Sequence, residues 1–440
     1  MFIVVIMCVV SLVYAGGIAL SGVGTRAKSM GGAMRGLADD ASAMYWNPAG
    51  LAFLTETTVT AGVHYVDFTG EWEHEVDSMM VTTENEDVTN IIPSFVYANC
   101  QKDRSWNWGI GLYVPFGLSA NWDIYQQPDS MYVEAYNINV PLEWPGVIEE
   151  NDLYGSMQVF DLHPSFGFKL SEKTAIGFGL SAYYSTIEID KVKEHDVYGA
   201  LLPTYLQLEG SGMAMGANFG VMCKPIDDLT VGISGRLNTK MKLEGDAQID
   251  TYINDALATG MGIPSDIYSA NPDVEATLTL PADMGFGLSY NIKDNWLVAA
   301  DFTYTWWEEF DTITIDFAEG DSLLGLPIED DELVMNWENT IRVSIGTEYL
   351  FNQFAIRAGY YYDESPLVDE TMTTLFPDFN TKNALNFGLG YEITKKLCVD
   401  LGLEYIMFEE REITEQTEEN WLGTYNATLY DIMIDFTWKF

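Results

Sequence analysis

The chain is long, acidic and rich in apolar residues. It has 440 residues, 48% of them hydrophobic and 13% aromatic, and its formal net charge is −45. Such a charge accompanies disorder only where apolar residues are scarce, so these acidic side chains belong to a well-folded structure. Nucleic-acid binding is excluded, because phosphate contacts need clustered Lys and Arg. Three of the four cysteines lie beyond residue 15 without CxxC spacing, so we expect neither a disulfide framework nor a bound metal.

The N-terminus is expected to direct export. A short apolar run precedes Val13 and Ala15, which form the small-residue pattern of a cleavage site before Gly16. The run is shorter than the roughly 20 residues that cross a bilayer as a helix, so residues 1–15 are predicted to be a signal peptide. A buried N-terminal strand is the alternative, and the missing basic residue before the run leaves the start codon open. No later segment has about 18 consecutive apolar residues, so no transmembrane helix is expected.

Residues 16–54 have a different character from the rest of the chain. They are rich in Gly, Ala and Ser, lack strand-like alternation, and contain a short helix-like run that stops at Asn47-Pro48. They could form a periplasmic tail or a plug inside a lumen. Apolar residues such as Met34 and Trp46 favour the packed plug.

From residue 55 to residue 440 apolar and polar positions alternate, which is the period of strands with two unlike faces. The last stretch shows this best, because one face carries Tyr430, Ile432, Ile434, Phe436, Trp438 and Phe440. The pattern predicts about fourteen strands, near residues 55–68, 90–100, 105–118, 156–170, 173–188, 210–223, 228–244, 273–291, 294–306, 335–350, 353–363, 382–393, 397–409 and 426–440.

The connections between these strands alternate between short and long. Long ones are predicted near residues 69–89, 119–155, 189–209, 245–272, 307–334, 364–381 and 410–425. Outer-membrane barrels have short periplasmic turns, long extracellular loops and an even number of strands. An open edge in lipid would leave backbone groups unpaired, so the sheet must close. We therefore predict an all-β fold: a transmembrane, antiparallel, up-and-down barrel in the bacterial outer membrane. Its terminal Phe440 resembles the signal that barrel-assembly machinery recognises.

Aromatic and acidic residues follow the same layout. Tryptophans at strand ends suit the two interfacial girdles of such a barrel, namely Trp106, Trp108, Trp306, Trp307, Trp337 and Trp438. Acidic clusters lie in or beside the long connections, at residues 84–87, 329–332 and 409–419. Simple solvation explains them, and divalent cations that bridge them to lipopolysaccharide are the functional alternative. A surface-exposed binding protein or adhesin that uses these loops is the second hypothesis for the whole chain.

Five motifs, in chain order, resemble the FadL/TodX (OMPP1) family of outer-membrane transporters for long-chain fatty acids and aromatic hydrocarbons. The first, over residues 38–51, contains Asn47-Pro48-Ala49-Gly50 and is similar to that family's hatch. The others are Val114-Pro115-Phe116-Gly117-Leu118, the pair of segments within residues 280–306, the stretch Arg357 to Pro366, and Phe376-Pro377-Asp378. The longer acidic loops and the missing basic residues at the N-terminus depart from the family pattern and leave the substrate open.

The resemblance implies a barrel plugged by an N-terminal hatch and a passive uptake route for hydrophobic molecules. Such diffusion needs no cofactor or energy source, and the family precedent implies a monomer. Family members release the ligand sideways through a gap made by an inward kink of the third strand. Here the kink would fall at Pro115, Phe116 and Gly117, because Pro cannot donate to the ladder and Gly bends readily. An ordinary bulge at the barrel rim is the alternative.

Strand alternation places Arg342 and Arg357 on faces that should point into the lumen. Charge on the lipid side would cost roughly 2–4 kcal/mol at mid-depth. A guanidinium in the lumen could bind a fatty carboxylate through two parallel hydrogen bonds. The alternative is that both arginines pair with lumen carboxylates or with the hatch.

We do not expect an enzyme and predict no catalytic residue. The four histidines show no HExxH spacing, and the chain has no GxSxG motif. His163 shares a strand face with Asp161 and Ser165, which leaves a hydrolase as the third hypothesis. The general polarity of a lumen explains this cluster better.

Overall fold

The structure is a computed structural model, and it describes residues 17–76, 79–86, 90–122, 132–133, 138–139, 153–197, 200–253, 258–260, 262–318, 320–376, 378–415 and 421–440. The predicted signal peptide lies outside these residues, as do most of the predicted loop at 119–155 and part of the acidic stretch at 409–419. No helix within the described residues is long and apolar enough to cross a membrane.

Fourteen antiparallel strands form a closed barrel. They are β1 (Thr58–Val76), β2 (Asn90–Asn99), β3 (Trp106–Trp122), β4 (Leu153–Ser171), β5 (Thr174–Val197), β6 (Ala200–Ile226), β7 (Leu229–Arg236 and Thr239–Ile253), β8 (Asp273–Leu280 and Asp283–Lys293), β9 (Trp296–Thr305 and Thr312–Phe317), β10 (Asp331–Val334 and Thr340–Phe351), β11 (Phe354–Asp363), β12 (Lys382–Thr394), β13 (Leu397–Phe408 and Arg411–Ile413) and β14 (Gly423–Lys439). The last strand pairs with the first from Thr58↔Lys439 to Glu73↔Thr424, which closes the barrel. The predicted fold class is therefore confirmed.

Shorter elements decorate this barrel. Extra strands at Met79–Glu84 and Asp266–Ala270 pair with β1 and β7. Two small ribbons join Tyr132–Val133 to Ile138–Asn139 and Ser322–Leu323 to Leu326–Pro327. The helical elements within the described residues include α1 (Thr25–Lys28), α2 (Ala43–Trp46) and three 3₁₀ turns, Pro48–Phe53, Trp307–Glu309 and Asp369–Thr371. Residues 258–260 are also helical.

The alternation of the strands separates a lipid face from a lumen face. In β10, Val343 and Ile345 are 44% and 55% exposed, whereas Ser344 between them is only 4% exposed. The exposed residues are apolar, as contact with hydrocarbon requires. The buried face is polar, and residues 17–54 fill the space inside it.

The predicted long connection at 189–209 is wrong. Strands β5 and β6 stay paired from Thr174↔Cys223 to Val197↔Ala200, which leaves only residues 198–199 between them. The predicted connection at 245–272 is also partly strand, because β7 continues to Ile253. Aliphatic side chains explain both extensions: Ile189, Leu208 and Leu243 pack into one buried cluster, so the hairpins remain paired beyond the membrane.

Two of the predicted girdle tryptophans are buried inside the barrel. Trp307 and Trp337 are 1% and 3% exposed and pack against each other with ring centroids 5.2 Å apart. Phe310 stacks on Trp337 at 4.5 Å. Trp307 and Phe310 lie between the two segments of β9, and Trp337 lies between the two segments of β10, so strand alternation does not fix the direction of their side chains. By contrast, Trp106 and Trp438 are 42% and 46% exposed at the periplasmic ends of their strands.

Candidate functional site

Residues 17–54, here called the hatch, are fixed to the barrel wall by buried ion pairs. Arg35 donates from Nη2 to Asp283 Oδ1 at 2.6 Å, and its backbone N–H donates to Asp301 Oδ2 at 2.6 Å. Arg26 donates to Glu348 Oε1 at 2.9 Å. Buried charges are retained only when they are paired in this way, so these contacts define where the hatch sits.

Lys28 forms the third anchor of the hatch. Its ammonium group contacts Glu404 Oε2 at 2.9 Å and also Asp431, whose carboxylate is shared with His64 Nδ1 at 3.2 Å. Burial lowers the pKa of Lys28, but the carboxylates of Asp431 and Glu404 outweigh burial and raise that pKa above its ordinary value. The hatch lysine therefore remains charged inside the lumen.

The Asn47-Pro48-Ala49-Gly50 motif lies at the contact between the hatch and the wall. Asn47 is fully buried, donates from Nδ2 to Arg35 O at 2.8 Å and to Val221 O at 3.3 Å, and accepts from the backbone N–H of Ala49 at 3.2 Å. Its side chain therefore links two parts of the hatch to strand β6. In this position the amide caps the 3₁₀ turn Pro48–Phe53.

Two glycines, one in this motif and one in the barrel wall, allow the backbone of the hatch to pack closely against other backbone segments. A Cβ on Gly50 would overlap the carbonyl of Ala38 in the hatch. A Cβ on Gly177 of β5 would overlap the backbone at Pro48. The hatch therefore lies directly against the barrel wall, without a layer of side chains between them.

Residues 17–21, the first part of the hatch and here called the strap, lie against β3 at the predicted kink residues. Leu20 N donates to Pro115 O at 3.0 Å, and Gly117 N donates to Ile18 O at 2.8 Å, so Ala19 and Phe116 are bridge partners. The pairing of β3 with β4 shifts its register between Tyr113 and Phe116. The predicted kink residues are thus the ones that pair with the strap.

Two carboxylates hold the strap at its ends. Ser21 Oγ donates to Glu404 Oε2 at 2.8 Å. The backbone N–H of Gly17 donates to Asp378, which also pairs with Lys382. Gly17 has a φ of +61° and lies under the rings of Trp307 and Trp337, which a side chain there would overlap.

The wall of the barrel is interrupted beside the strap. Strands β2 and β3 pair only from Asn99↔Trp108 to Phe95↔Leu112. Beyond that point β2 remains paired with β1 and β3 remains paired with β4, but β2 and β3 no longer pair with each other. The strap occupies the free edge of β3 at this position, and we call the interruption the lateral gap.

Two cavities lie on either side of the strap. The first, the inner chamber, contains Phe116, Arg236 and Arg342 in its lining. The second, the gap chamber, is smaller and is lined by residues of β2 and β3 at the lateral gap. Leu20 and Ser21 line both cavities. The strap is therefore the partition between them.

Arg342, one of the two predicted arginines, lines the inner chamber and is only weakly engaged. Its Nη1 is 3.8 Å from Asp363 Oδ2, its Nη2 is 3.5 Å from Gly31 O, and its guanidinium lies 3.8 Å from the centre of the Tyr361 ring. It therefore has hydrogen-bonding capacity to spare.

Arg357, the second predicted arginine, is fully engaged. Its Nε donates to Glu348 Oε2 and its Nη1 donates to Asp400 Oδ1, both at 2.5 Å. It lines a separate cavity at the periplasmic mouth of the barrel. The structure thus does not bring the two predicted arginines together.

Sequence reasoning missed Arg236 of β7, which lines the inner chamber beside Arg342. Its guanidinium lies 4.7 Å from the ring centre of Tyr45 and 5.6 Å from that of Phe116. Within the described residues it makes no hydrogen bond or ion pair. Strand alternation could have found it, because Arg236 lies on the face opposite to Ile233.

The cluster around His163 has the wrong geometry for a catalytic triad. His163 Nδ1 faces both Ser181 Oγ at 2.9 Å and Asp161 Oδ2 at 3.2 Å. A triad needs the hydroxyl and the carboxylate on opposite ring nitrogens. The other nitrogen faces Asn218 Oδ1 at 3.2 Å, and Asn218 donates to Met44 O at 2.8 Å. The cluster therefore supports the hatch. Within the described residues, no group of three or more His, Cys, Asp and Glu is arranged to hold a metal ion.

A closed barrel with an apolar exterior and a lumen occupied by its own N-terminal segment defines a plugged membrane channel. The family model described as "Outer membrane protein transport protein (OMPP1/FadL/TodX)" matches residues 6–440. The chain belongs to this family and is an outer-membrane transport protein.

Curated relatives and solved structures agree with this assignment. The chain is 24% identical to a long-chain fatty acid transport protein of Escherichia coli O6:H1 over 86% of this chain and 84% of that one. It is 22% identical to outer membrane protein P1 of Haemophilus influenzae, over 91% and 90% of the two chains. Among solved structures, a Pseudomonas aeruginosa FadL homologue superposes with a TM-score of 0.77 at 15% identity, covering 96% of this chain and all of that one. The Pseudomonas putida toluene transporter TodX superposes with a TM-score of 0.76 at 18% identity, over 96% and 99%.

Proposed function

We propose that this protein takes up hydrophobic molecules with an acidic head group, long-chain fatty acids in particular, by passive diffusion across the outer membrane. The observation that carries this proposal is the pair Arg236 and Arg342 in the inner chamber. Arginine is well suited to carboxylates because its planar group offers parallel hydrogen bonds. The Escherichia coli relative is a long-chain fatty acid transport protein, which supports the same cargo.

The second part of the proposal is the route. The ligand occupies the inner chamber, the strap leaves the edge of β3, and the ligand passes through the gap chamber into the lateral gap. This route is supported by the strap's position, because it separates the two chambers. It is also supported by the missing pairing between β2 and β3 beyond Phe95 and Leu112.

The third part of the proposal assigns a role to each segment of the chain. Residues 1–15 act as a cleaved signal peptide, residues 16–54 as the hatch and residues 55–440 as the barrel. Barrel-assembly machinery inserts the chain into the lipopolysaccharide-containing membrane, where it works as a monomer. Diffusion down a gradient explains uptake without a cofactor.

A reversible cross-link between the strap and β3 tests the route. Ala19 and Phe116 are bridge partners whose neighbours carry the hydrogen bonds, a geometry with Cα atoms about 4.5 Å apart and thus within disulfide range. Ala19→Cys with Phe116→Cys, in a background without Cys100, Cys223 and Cys398, should lose fatty-acid transport into liposomes when oxidised. Transport should return on reduction.

A matched cross-link in the wall serves as the control. Leu385→Cys with Tyr405→Cys joins two paired residues of β12 and β13, away from the strap. Oxidation of this pair should leave transport unchanged. Undiminished transport by the oxidised strap variant would contradict the route. A barrel that neither binds nor passes fatty acids would contradict the proposed cargo.

A further inference from the structure

The periplasmic rim of the barrel carries an uneven distribution of charge. Among the six short connections that the structure describes, two have an excess of positive charge. The connection 394–397 contains Lys395 and Lys396 and no acidic residue, and the connection 100–105 contains Lys102 and Arg104 against one acidic residue. The other four have no positive excess, and they are 171–174, 224–229, 291–296 and 351–354. In a chain with a net charge of −45, a basic stretch of surface requires an explanation.

The two basic connections belong to one sector of the rim. Connection 394–397 joins β12 to β13, connection 100–105 joins β2 to β3, and β14 and β1 lie between them. Three strand spacings of about 4.8 Å separate β13 from β2, or about 14 Å. The two connections carry four cations against Asp103 and the terminal carboxylate of Phe440, whereas Glu56, Glu392 and Lys439 line the cavity at the mouth of the barrel. Positive charge thus outweighs negative charge across a width that suits a lipid head group.

The depth of the cations matches the head groups of the inner leaflet. Trp106 and Trp438 are half exposed on the lipid face, where tryptophan marks the boundary between hydrocarbon and head groups. The guanidinium of Arg104 lies 5.6 Å from the centre of the Trp106 ring, and its Nη1 donates to Asn99 Oδ1 at 2.9 Å. Arg104 is therefore held at the level of the lipid phosphates.

The cations of this sector also lack acidic partners. Within the described residues, no ion pair involves Lys102, Lys395 or Lys396, and all three are exposed. Lys173, in the next connection round the rim, pairs with Asp227 at 2.8 Å. The positive charge of that connection is thus neutralised, whereas the charge of Lys102, Lys395 and Lys396 is available.

We propose that the sector formed by connections 394–397 and 100–105 binds an anionic phospholipid of the periplasmic leaflet. Its phosphate would lie between the two basic connections, and its acyl chains would lie against the outer face of β13, β14, β1 and β2. The site is next to the base of β2 and β3, the two strands that separate at the lateral gap. The proposal does not depend on the transported cargo, because it uses only the outer surface of the barrel.

Lipid titration of the purified full-length protein tests the proposal. The protein in phosphatidylethanolamine nanodiscs is compared with and without phosphatidylglycerol, and the retained lipids are counted by native mass spectrometry. Each cation near a membrane surface contributes about fivefold to the affinity for an anionic lipid. The variants K395Q/K396Q and K102Q/R104Q should each weaken phosphatidylglycerol binding about 25-fold. High salt should also weaken the binding of phosphatidylglycerol by the wild-type protein, because it screens the charges.

The control variant is K224Q/K293Q, which removes two cations from connections 224–229 and 291–296 on the opposite part of the rim. It should retain phosphatidylglycerol as the wild type does, and all variants should show the same heat-modifiable migration of a folded barrel. The proposal would be overturned if the control variant lost as much phosphatidylglycerol binding as the other variants, or if the wild type retained phosphatidylethanolamine as well as phosphatidylglycerol. Unchanged phosphatidylglycerol binding by the combined four-residue variant would overturn it too. Displacement of the lipid by inorganic phosphate would also overturn it, in favour of a soluble anion.

Discussion

Replacing Arg236 with Gln should weaken the binding of a long-chain carboxylic acid and spare the binding of the matching alcohol. The guanidinium of Arg236 makes no hydrogen bond or ion pair within the described residues, so its removal leaves no buried partner unsatisfied. The loss therefore falls on the ligand rather than on the fold. Arg342 is only weakly engaged, because its Nη1 lies 3.8 Å from Asp363 Oδ2 and its Nη2 lies 3.5 Å from Gly31 O, so its replacement should disturb the fold little.

The magnitude follows from the value of a hydrogen bond to a charged group. Such a bond contributes about 1.5–3 kcal/mol, which corresponds to about 10- to 150-fold in the dissociation constant. We expect a loss in this range for each of Arg236→Gln and Arg342→Gln. The double variant should lose less than the product of the two factors if both groups contact the same carboxylate.

Calorimetric titration of the purified barrel with dodecanoic acid and with dodecanol measures the effect. Arg357→Gln is the control, because Arg357 is engaged by Glu348 and Asp400 and should affect stability more than head-group recognition. Equal losses for the acid and the alcohol would refute the reasoning, since they would mean that the arginines shape the chamber rather than bind a carboxylate. Unchanged affinity of Arg236→Gln for the acid would refute it as well.

Three further predictions concern the hatch. Asn47→Ala leaves the buried carbonyl of Arg35 without its donor, a cost of about 1–3 kcal/mol, so uptake by cells should fall more than the thermal stability of the barrel. Gly177→Leu places a side chain where the backbone at Pro48 lies, so the barrel should assemble with a displaced hatch and show increased conductance in planar bilayers. Lys28→Met leaves two buried carboxylates without their cation, a cost of roughly 3–5 kcal/mol, so limited proteolysis should cut the hatch faster than in the wild type.

Each of these predictions has a distinct contrary result. Parallel losses of uptake and barrel stability would mean that Asn47 only supports the fold. Wild-type conductance of Gly177→Leu would mean that the hatch can shift without leaving the wall, and Gly260→Leu, at a position with open space around it, is the matched control. Unchanged proteolysis of Lys28→Met would mean that other contacts suffice to hold the hatch.

The sequence was a good guide wherever a regular period decides the structure. Alternation predicted the strands and their lumen faces because lipid and lumen impose opposite demands on successive side chains. Alternation failed as a guide outside the membrane, where the two faces of a strand no longer meet lipid on one side and the lumen on the other. Trp307 and Trp337 look like interfacial residues in the sequence, yet they cover the strap inside the barrel.

The strap itself could not be predicted from the sequence. Residues 18–20 are too few to show a period, and their partners around Phe116 lie in a distant strand. A kink at Pro115 and Gly117 is predicted from their backbone preferences, but the segment that pairs with these residues depends on where the hatch is anchored. Arg236 was overlooked although the rule that selected Arg342 applies equally to it.

The charges around the hatch indicate which part of it moves. Both carboxylates that hold the strap have a second, cationic partner, because Glu404 pairs with Lys28 and Asp378 pairs with Lys382. Release of the strap therefore leaves neither carboxylate buried without a counter-charge. Displacement of the whole hatch would instead separate Lys28 from its carboxylates and Arg35 from Asp283, and each broken buried pair costs roughly 3–5 kcal/mol. Thermal motion should thus release the strap far more often than the hatch, which is what passive passage between the two chambers requires.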